Sequence, residues 1–279
     1  MLATRVLTAL VLASLVLAAL FLLPPRGWGL AVLTAIVAAS AEWASLAGYT
    51  RWPWRLFVAG TIAIGAALLF SPIAGFDRGW PDIVVVTICG AATLFWILVV
   101  PFWLGSRWRP SSRLVMAGAG WLVLIGAWVA LVALQARSPW IVLAAMAIVW
   151  VADTAAYFAG RAFGRRKLAP AISPGKTWEG VYGALAAVAV YALALVPLAT
   201  AAGYRGPVSA PVVAAWVALA LVLAALSVAG DLFESLLKRH AGVKDSGKLL
   251  PGHGGVLDRT DALLAAMPPA ALAAWAFLR

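Results

Sequence analysis

The chain has 279 residues, of which 65% are hydrophobic and only 11% are charged. Soluble domains carry about a quarter charged residues, so this composition excludes an ordinary water-soluble fold and requires the bilayer as solvent. The net charge of +11 could indicate a nucleic-acid partner. The basic residues lie in short joints between apolar runs, however, where membrane topology explains them, and we expect no nucleic acid.

Nine runs of about twenty apolar residues predict an all-α polytopic membrane protein with about nine transmembrane helices. The runs cover residues 6–23, 28–48, 56–73, 83–104, 114–134, 140–160, 180–200, 212–228 and 262–278. The first run ends at Pro24 without a small-residue cleavage site, which favours a retained helix over a signal peptide. Cys89 is the single cysteine and lies inside an apolar run, so no disulfide framework is expected.

The Lys and Arg residues alternate in number from joint to joint. The N-terminus and the even-numbered joints hold sixteen of the twenty-one, about threefold more than the odd-numbered joints and the C-terminal tail. The positive-inside rule therefore predicts a cytoplasmic N-terminus and, after nine spans, a C-terminus outside. We divide the chain into residues 1–135, with spans one to five, and residues 136–279, with spans six to nine and two cytoplasmic polar segments at 161–179 and 229–261.

Seven of the ten acidic residues belong to the sixth and eighth joints or to the helix ends beside them. They are Asp153, Glu179, Asp231, Glu234, Asp245, Asp258 and Asp261. Ion pairing with the neighbouring Lys and Arg residues explains some of these acids. It does not readily explain acids at the ends of membrane helices, where burial is costly and usually serves a function.

The eighth joint has the residue types of a cation and phosphate site. Asp231, Glu234 and Lys238 recur at helical spacing and share one face if the eighth span continues as a helix. Asp258 and Asp261 follow a glycine-rich turn and are three residues apart at a helix N-terminus. Carboxylates from two helix ends suit Mg²⁺ bound to a polyphosphate. The competing interpretation is helix capping by Asp258 together with surface ion pairs.

The sixth joint complements this pattern. Asp153 is predicted to lie roughly 12 Å inside the end of the sixth span, either as a functional acid or hydrogen-bonded to Tyr157 or Thr154. The sequence Gly-Lys-Thr at 175–177 does not complete a phosphate-binding loop, because Pro170 stands where that motif requires glycine. The segment still offers a lysine, a hydroxyl and amide groups for an anion at a helix N-terminus.

The 27-residue stretch 235–261, SLLKRHAGVKDSGKLLPGHGGVLDRTD, resembles the signature of phosphatidate cytidylyltransferases (CDP-diglyceride synthases). The segments DTAAYFAGR, from Asp153, and SPGKTWEG, from Ser173, are also similar to that family. The resemblance implies that CTP and phosphatidic acid react to give CDP-diacylglycerol and pyrophosphate. It further implies Mg²⁺ as cofactor, with a second cation possible, and a homodimer.

The resemblance also implies roles for individual residues. The metal ligands are expected to be Asp231, Asp258 and Asp261. The wider catalytic set adds Lys238, Arg239, Lys244, Asp245, His253 and Arg259. Substrate binding is expected from Ser173, Lys176, Thr177, Ser235, Lys248, Gly254 and Gly255, with Asp153 as a further site residue. The sequence does not divide the basic residues between CTP and phosphatidate.

These expectations place the chain in a bacterial-type cytoplasmic (inner) membrane as a multi-pass protein among membrane lipids, with its active site facing the cytoplasm. One alternative is a nucleotide-dependent transferase acting on another membrane lipid, such as a polyprenol. A second is an ion-coupled transporter, although transporter acids usually lie near the midplane of the membrane in broken helices.

Overall fold

The computed structural model describes residues 2–201, 206 and 208–277, and within them it forms nine helices. In chain order these are α1 (Leu2–Leu22), α2 (Pro25–Leu46), α3 (Arg51–Phe70), α4 (Asp82–Ser106), α5 (Arg113–Arg137), α6 (Pro139–Phe163), α7 (Trp178–Ala201), α8 (Ala210–Ala241) and α9 (Leu257–Phe277). The predicted all-α class and the number of helices are confirmed. Residue 278 at the end of the ninth predicted span lies outside the described residues, as do Arg205 and Arg279 of the charge count.

Eight of these helices, α2 to α9, are long and apolar enough to cross a membrane. The apolar part of α1 is shorter and covers Leu10–Leu22. Helix α4 includes one π-helical segment at Phe95–Val99, and a 3₁₀ turn at Pro72–Ala74 follows α3. The protein is therefore a polytopic helical membrane protein.

Helix α8 is the longest and continues beyond the predicted span. Its 32 residues extend for about 48 Å, whereas the hydrocarbon core of a bilayer is about 30 Å thick. The predicted span ended at residue 228, but the helix runs on to Ala241 and stops at Gly242, which adopts the left-handed conformation. Asp231 and Glu234 thus project from a regular helix, as their spacing predicted.

The sixth joint folds into a small hairpin that the sequence did not predict. Strands β1 (Lys167–Ala169) and β2 (Ser173–Thr177) are antiparallel, with Lys167 opposite Thr177. The buried Thr177 hydroxyl accepts a hydrogen bond from the Gly180 N–H group (3.2 Å) and so caps the first turn of α7. The hairpin therefore presents β2 directly at the start of α7.

The packing around Phe233 fixes how α8 is rotated. The Phe233 ring lies 5.2 Å from the Trp103 ring and 5.6 Å from the Trp96 ring, and Trp43 of α2 also contacts it. Because residues 231 and 233 differ by about 200° around a helix, Asp231 points away from this aromatic cluster. Helix α9 packs against α8, α5 and α4, which joins the second part of the chain to the first.

Candidate active site

Lys238 of α8 lies between two buried carboxylates. Its Nζ atom is 2.6 Å from Oε2 of Glu234 and 2.7 Å from Oδ1 of Asp258. The Glu234 and Asp258 side chains are only 4% and 7% exposed. One ammonium group therefore neutralises acids from two helices and connects α8 to the start of α9.

Asp258 also organises the loop that precedes its own helix. Its Oδ2 atom accepts hydrogen bonds from the N–H groups of Ser246 (2.9 Å) and Gly255 (2.8 Å). Gly254 has a φ of +82°, and a side chain there would also press against the Asp258 carboxylate. Both Asp258 oxygens thus have protein partners, which agrees with the capping and ion-pair interpretation for this residue.

A second ion pair joins the hairpin to α8. Nζ of Lys176 on β2 is 2.7 Å from Oδ2 of Asp231, and the Ser235 hydroxyl donates to Oδ1 of the same carboxylate (3.3 Å). Asp153 of α6 lies within electrostatic range of both Lys176 and Asp231. The two polar segments therefore meet around Asp231.

Asp261 of α9 also lies near Asp231 and Lys176. Its Oδ1 atom accepts a hydrogen bond from the N–H group of Ala262 (2.8 Å), and its charged neighbours include Asp231, Lys176 and Lys238. The residues that meet here are called the acid–lysine cluster and are Asp153, Lys176, Asp231, Glu234, Lys238, Asp258 and Asp261. Five carboxylates thus share two ammonium groups, which leaves an excess of acid suited to binding cations. Within the described part of the chain, no three acidic, histidine or cysteine groups are close enough to enclose a metal ion.

Glu42 near the end of α2 caps the N-terminus of α9. Its carboxylate accepts hydrogen bonds from the N–H groups of Val256 (3.0 Å) and Leu257 (2.8 Å) and from the Ser246 hydroxyl (2.9 Å). The neighbouring N–H groups of Gly255 and Asp258 are bonded to the Asp258 carboxylate (2.8 Å) and the Ser246 hydroxyl (3.3 Å). Four successive amide groups are occupied, so this helix N-terminus offers no vacant amides to a phosphate.

Glu42 was not predicted as a site residue, because more than 200 positions separate it from its partners. The available signal was an acid near the end of an apolar run, which is costly to bury without a function. Glu42 also places the end of α2 on the same side of the protein as the acid–lysine cluster. Lys and Arg counting likewise assigns the second joint, which follows α2, to the same face of the membrane as the sixth and eighth joints.

The other predicted site residues surround the cluster. Lys244, Asp245 and Lys248 are exposed on the loop after α8, while Arg239 donates to the Ile172 carbonyl of the hairpin turn (3.2 Å). Arg259 donates to the His253 carbonyl (2.9 Å). His253 Nδ1 is buried without a hydrogen-bond partner among the described residues. Ser173 and Gly255 lie in β2 and in the glycine turn, respectively.

The fold and the site define a polytopic helical membrane protein with an acidic, lysine-bridged cluster at the ends of its helices. Residues 3–277 match the model of the cytidylyltransferase family. The chain is 41% identical to the phosphatidate cytidylyltransferase of Pseudomonas aeruginosa over 99% of this chain and 98% of that protein. It is 35% identical to the enzyme of that name from Haemophilus influenzae (96% of each chain) and 38% identical to that from Brucella suis (95% and 90%). The chain belongs to the cytidylyltransferase family, a family of nucleotidyltransferases.

Proposed function

We propose that the protein is a phosphatidate cytidylyltransferase, which converts CTP and phosphatidic acid into CDP-diacylglycerol and pyrophosphate. The observation that carries the proposal is the Lys176–Asp231 ion pair, which brings the two family-like segments into one cluster (2.7 Å). The names of the full-length relatives support the substrate assignment. The many apolar helices suit an enzyme whose lipid substrate stays in the bilayer.

The reaction needs alignment and charge neutralisation more than proton transfer. A phosphate oxygen of phosphatidate attacks the α-phosphorus of CTP, and the bond from that phosphorus to the oxygen bridging it to the β-phosphorus breaks. Pyrophosphate then leaves with the bonding electrons. Because the attacking phosphate is already an anion, no strong general base is required. Catalysis rests on holding two anions in line and balancing the charge between them.

The oxygen donors and the excess of negative charge suit Mg²⁺, which typically uses one or two protein carboxylates together with substrate phosphates and so does not require three carboxylates around one ion. Asp261 is the proposed ligand with the fewest hydrogen bonds among the described residues, because it accepts only from the Ala262 N–H group, whereas Asp231 is bonded to Lys176 and Ser235. Asp258 would complete the set of ligands, and both of its oxygens already have protein partners in Lys238 and in backbone N–H groups. When bound, Mg²⁺ would neutralise phosphate charge and help to orient the two substrates.

The basic residues handle the phosphates in this proposal. Lys244 and Lys248 are exposed and form no ion pair among the described residues, so both are available to CTP. Lys176 is partly exposed beside Asp231, and its ammonium group would be able to hold a substrate phosphate. Arg239 holds the hairpin against α8 and so keeps Lys176 within reach of the cluster.

Replacing Lys176 by methionine tests whether Lys176 holds a substrate phosphate. The Lys176–Asp231 pair is partly exposed (24% and 34%), so its loss is expected to cost less than about 1 kcal/mol of stability. The loss of a charged hydrogen bond to phosphate is worth about 1.5–3 kcal/mol, or roughly a 10–100-fold rise in KM for one substrate. Steady-state kinetics with each substrate varied in turn measure the effect. Lys167→Met on the neighbouring strand is the control, and equal KM values in both variants would contradict the role of Lys176.

The function itself is tested by assaying purified protein in detergent with CTP, Mg²⁺ and a panel of lipids. Conversion of phosphatidate to CDP-diacylglycerol is the expected result. Preferential use of a polyprenol or polyprenyl phosphate would instead support a transferase for another lipid. Substrate uptake into sealed vesicles without nucleotide, and no lipid product, would support a transporter.

We further propose that the cluster faces the cytoplasm of a bacterial inner membrane, where CTP is available, and that the enzyme is a homodimer. Lys and Arg counting supports the orientation, and the resemblance to the family supports the dimer. A reporter fused to the C-terminus and active only in the cytoplasm should remain inactive. Light scattering of the detergent-solubilised protein should give twice the mass of the 29.1 kDa chain.

A further inference from the structure

We infer that Glu42, in the N-terminal part of the chain, is a positioning residue for the active site. It acts by holding the loop 246–257 and the N-terminus of α9, which carry Asp258 and Asp261. The inference deepens the proposed function and rests on it. None of the motif segments that resemble the family includes Glu42.

The first argument is the number and direction of its hydrogen bonds. Glu42 is only 8% exposed, and its two oxygens accept three hydrogen bonds, all from the loop 246–257. Two of the donors are amide groups at the positive end of α9, which favours a carboxylate there. The acid therefore supplies from α2 the cap that α9 would otherwise take from its own chain segment.

The second argument is the fit of the loop around this carboxylate. A Cβ atom added to Gly247 or Gly255 would overlap the Glu42 side chain. Both positions thus leave room for Glu42, and the loop backbone approaches it more closely than any residue with a side chain could. Glycine at these two positions allows the close approach in which the loop donates its hydrogen bonds to Glu42.

The third argument is the chain of contacts from Glu42 to the cluster. Ser246 donates its hydroxyl to Glu42 (2.9 Å) and its N–H group to Asp258 (2.9 Å). Asp258 in turn is bonded to Lys238 (2.7 Å). If Glu42 releases the loop, Ser246 and Asp258 lose their common support, and the start of α9 can shift. A misplacement of about 1 Å can reduce a rate by about 100-fold.

The experiment compares Glu42→Gln with Gln135→Leu. Gln135 is a suitable control because it is also buried and bonds across the chain, to the carbonyls of Leu20 and Leu23 (3.3 and 3.0 Å), away from the cluster. Three quantities are measured: amide hydrogen exchange of peptides covering 245–257 without substrates, kcat and KM, and the thermal midpoint in detergent. A glutamine can replace only one of the two accepting oxygens of Glu42.

Glu42→Gln is expected to speed exchange in peptides covering 245–257 at least tenfold and to lower kcat by about 10–100-fold. The KM for CTP should change less than kcat. Gln135→Leu should lower the thermal midpoint without either effect. Ser246→Ala is the second variant, used if Glu42→Gln does not fold; it removes only one of the three hydrogen bonds to Glu42 and should speed exchange in the same peptides to a smaller degree. When both single variants fold, the double variant Glu42→Gln with Ser246→Ala should speed exchange by less than the two single changes combined.

Wild-type exchange in residues 245–257 of Glu42→Gln would overturn the inference. Equal losses of stability and kcat in Glu42→Gln and Gln135→Leu would also overturn the inference. The exchange readout uses protein without substrates. If the wild type transfers no cytidylyl group, the proposed function fails, while the exchange data still decide whether Glu42 holds the loop.

Discussion

Replacing Asp261 by asparagine is expected to lower kcat by about 100–1,000-fold, because the change removes a charge that organises the reacting phosphates. Asn Oδ1 can still accept the hydrogen bond that Asp261 takes from the Ala262 N–H group (2.8 Å). The change therefore removes one negative charge from a crowded set of acids and keeps the local shape. The thermal midpoint in detergent should stay at or above the wild-type value, because repulsion with Asp231 is relieved.

Asp77→Asn is the matched control for Asp261→Asn. Asp77 is exposed beside Phe76, whose carbonyl accepts from Arg26 at the start of α2. Glu42 is sixteen residues, or about 24 Å, further along the same helix than Arg26, so Asp77 lies near the opposite end of α2 from the site. Its replacement should leave kcat within twofold of wild type. Wild-type activity in Asp261→Asn would rule out the proposed metal ligands, whereas equal losses in both variants would point to a general effect of charge.

Lys238→Met is expected to produce the largest loss of stability. The Lys238 side chain is 14% exposed between the nearly buried Glu234 and Asp258, and the change leaves two carboxylates without their cation. Removing one partner of a buried ion pair typically costs about 3–5 kcal/mol. Equilibrium unfolding in mixed micelles measures the free energy of unfolding, and activity should be lost as well.

The double variant Glu234→Gln with Lys238→Met separates charge balance from catalysis. It removes one carboxylate together with the ammonium group, so it should recover part of the stability lost in Lys238→Met. It should not recover activity if Lys238 is needed to hold Asp258 or to meet a phosphate. Lys238→Met with wild-type stability would contradict the buried pairing on which the account of the site depends.

Most of the helical architecture could be predicted from the sequence, because apolar runs of span length leave few alternatives in a bilayer. The ends of helices were less predictable where a polar face begins. Residues 229–241 are amphipathic and lack the hydropathy of a span, yet they continue α8 for three further turns. The hairpin at 167–177 was missed because its strands have only three and five residues, too few for a periodic pattern.

The residues that meet in the acid–lysine cluster were predicted better than the pairing between them. Helical spacing correctly placed Asp231, Glu234 and Lys238 on one face of α8. Spacing could not show that Lys238 bridges to Asp258, because that contact depends on how α9 approaches α8. Glu42 was the largest omission, since only the packing of α2 reveals its loop partners. Contacts between distant segments are set by tertiary structure, and a single sequence gives little information about them.

The most direct test of the proposed chemistry is the fate of each phosphorus atom of CTP. Purified protein is incubated with Mg²⁺, phosphatidate and CTP labelled at either the α- or the γ-phosphorus, and the lipid and aqueous products are separated. Cytidylyl transfer predicts that the α-label enters the lipid and that the γ-label is recovered as pyrophosphate in equal amount. Recovery of the γ-label in the lipid would show phosphorylation instead, and a lipid fraction that contains neither label would contradict the proposed transfer altogether.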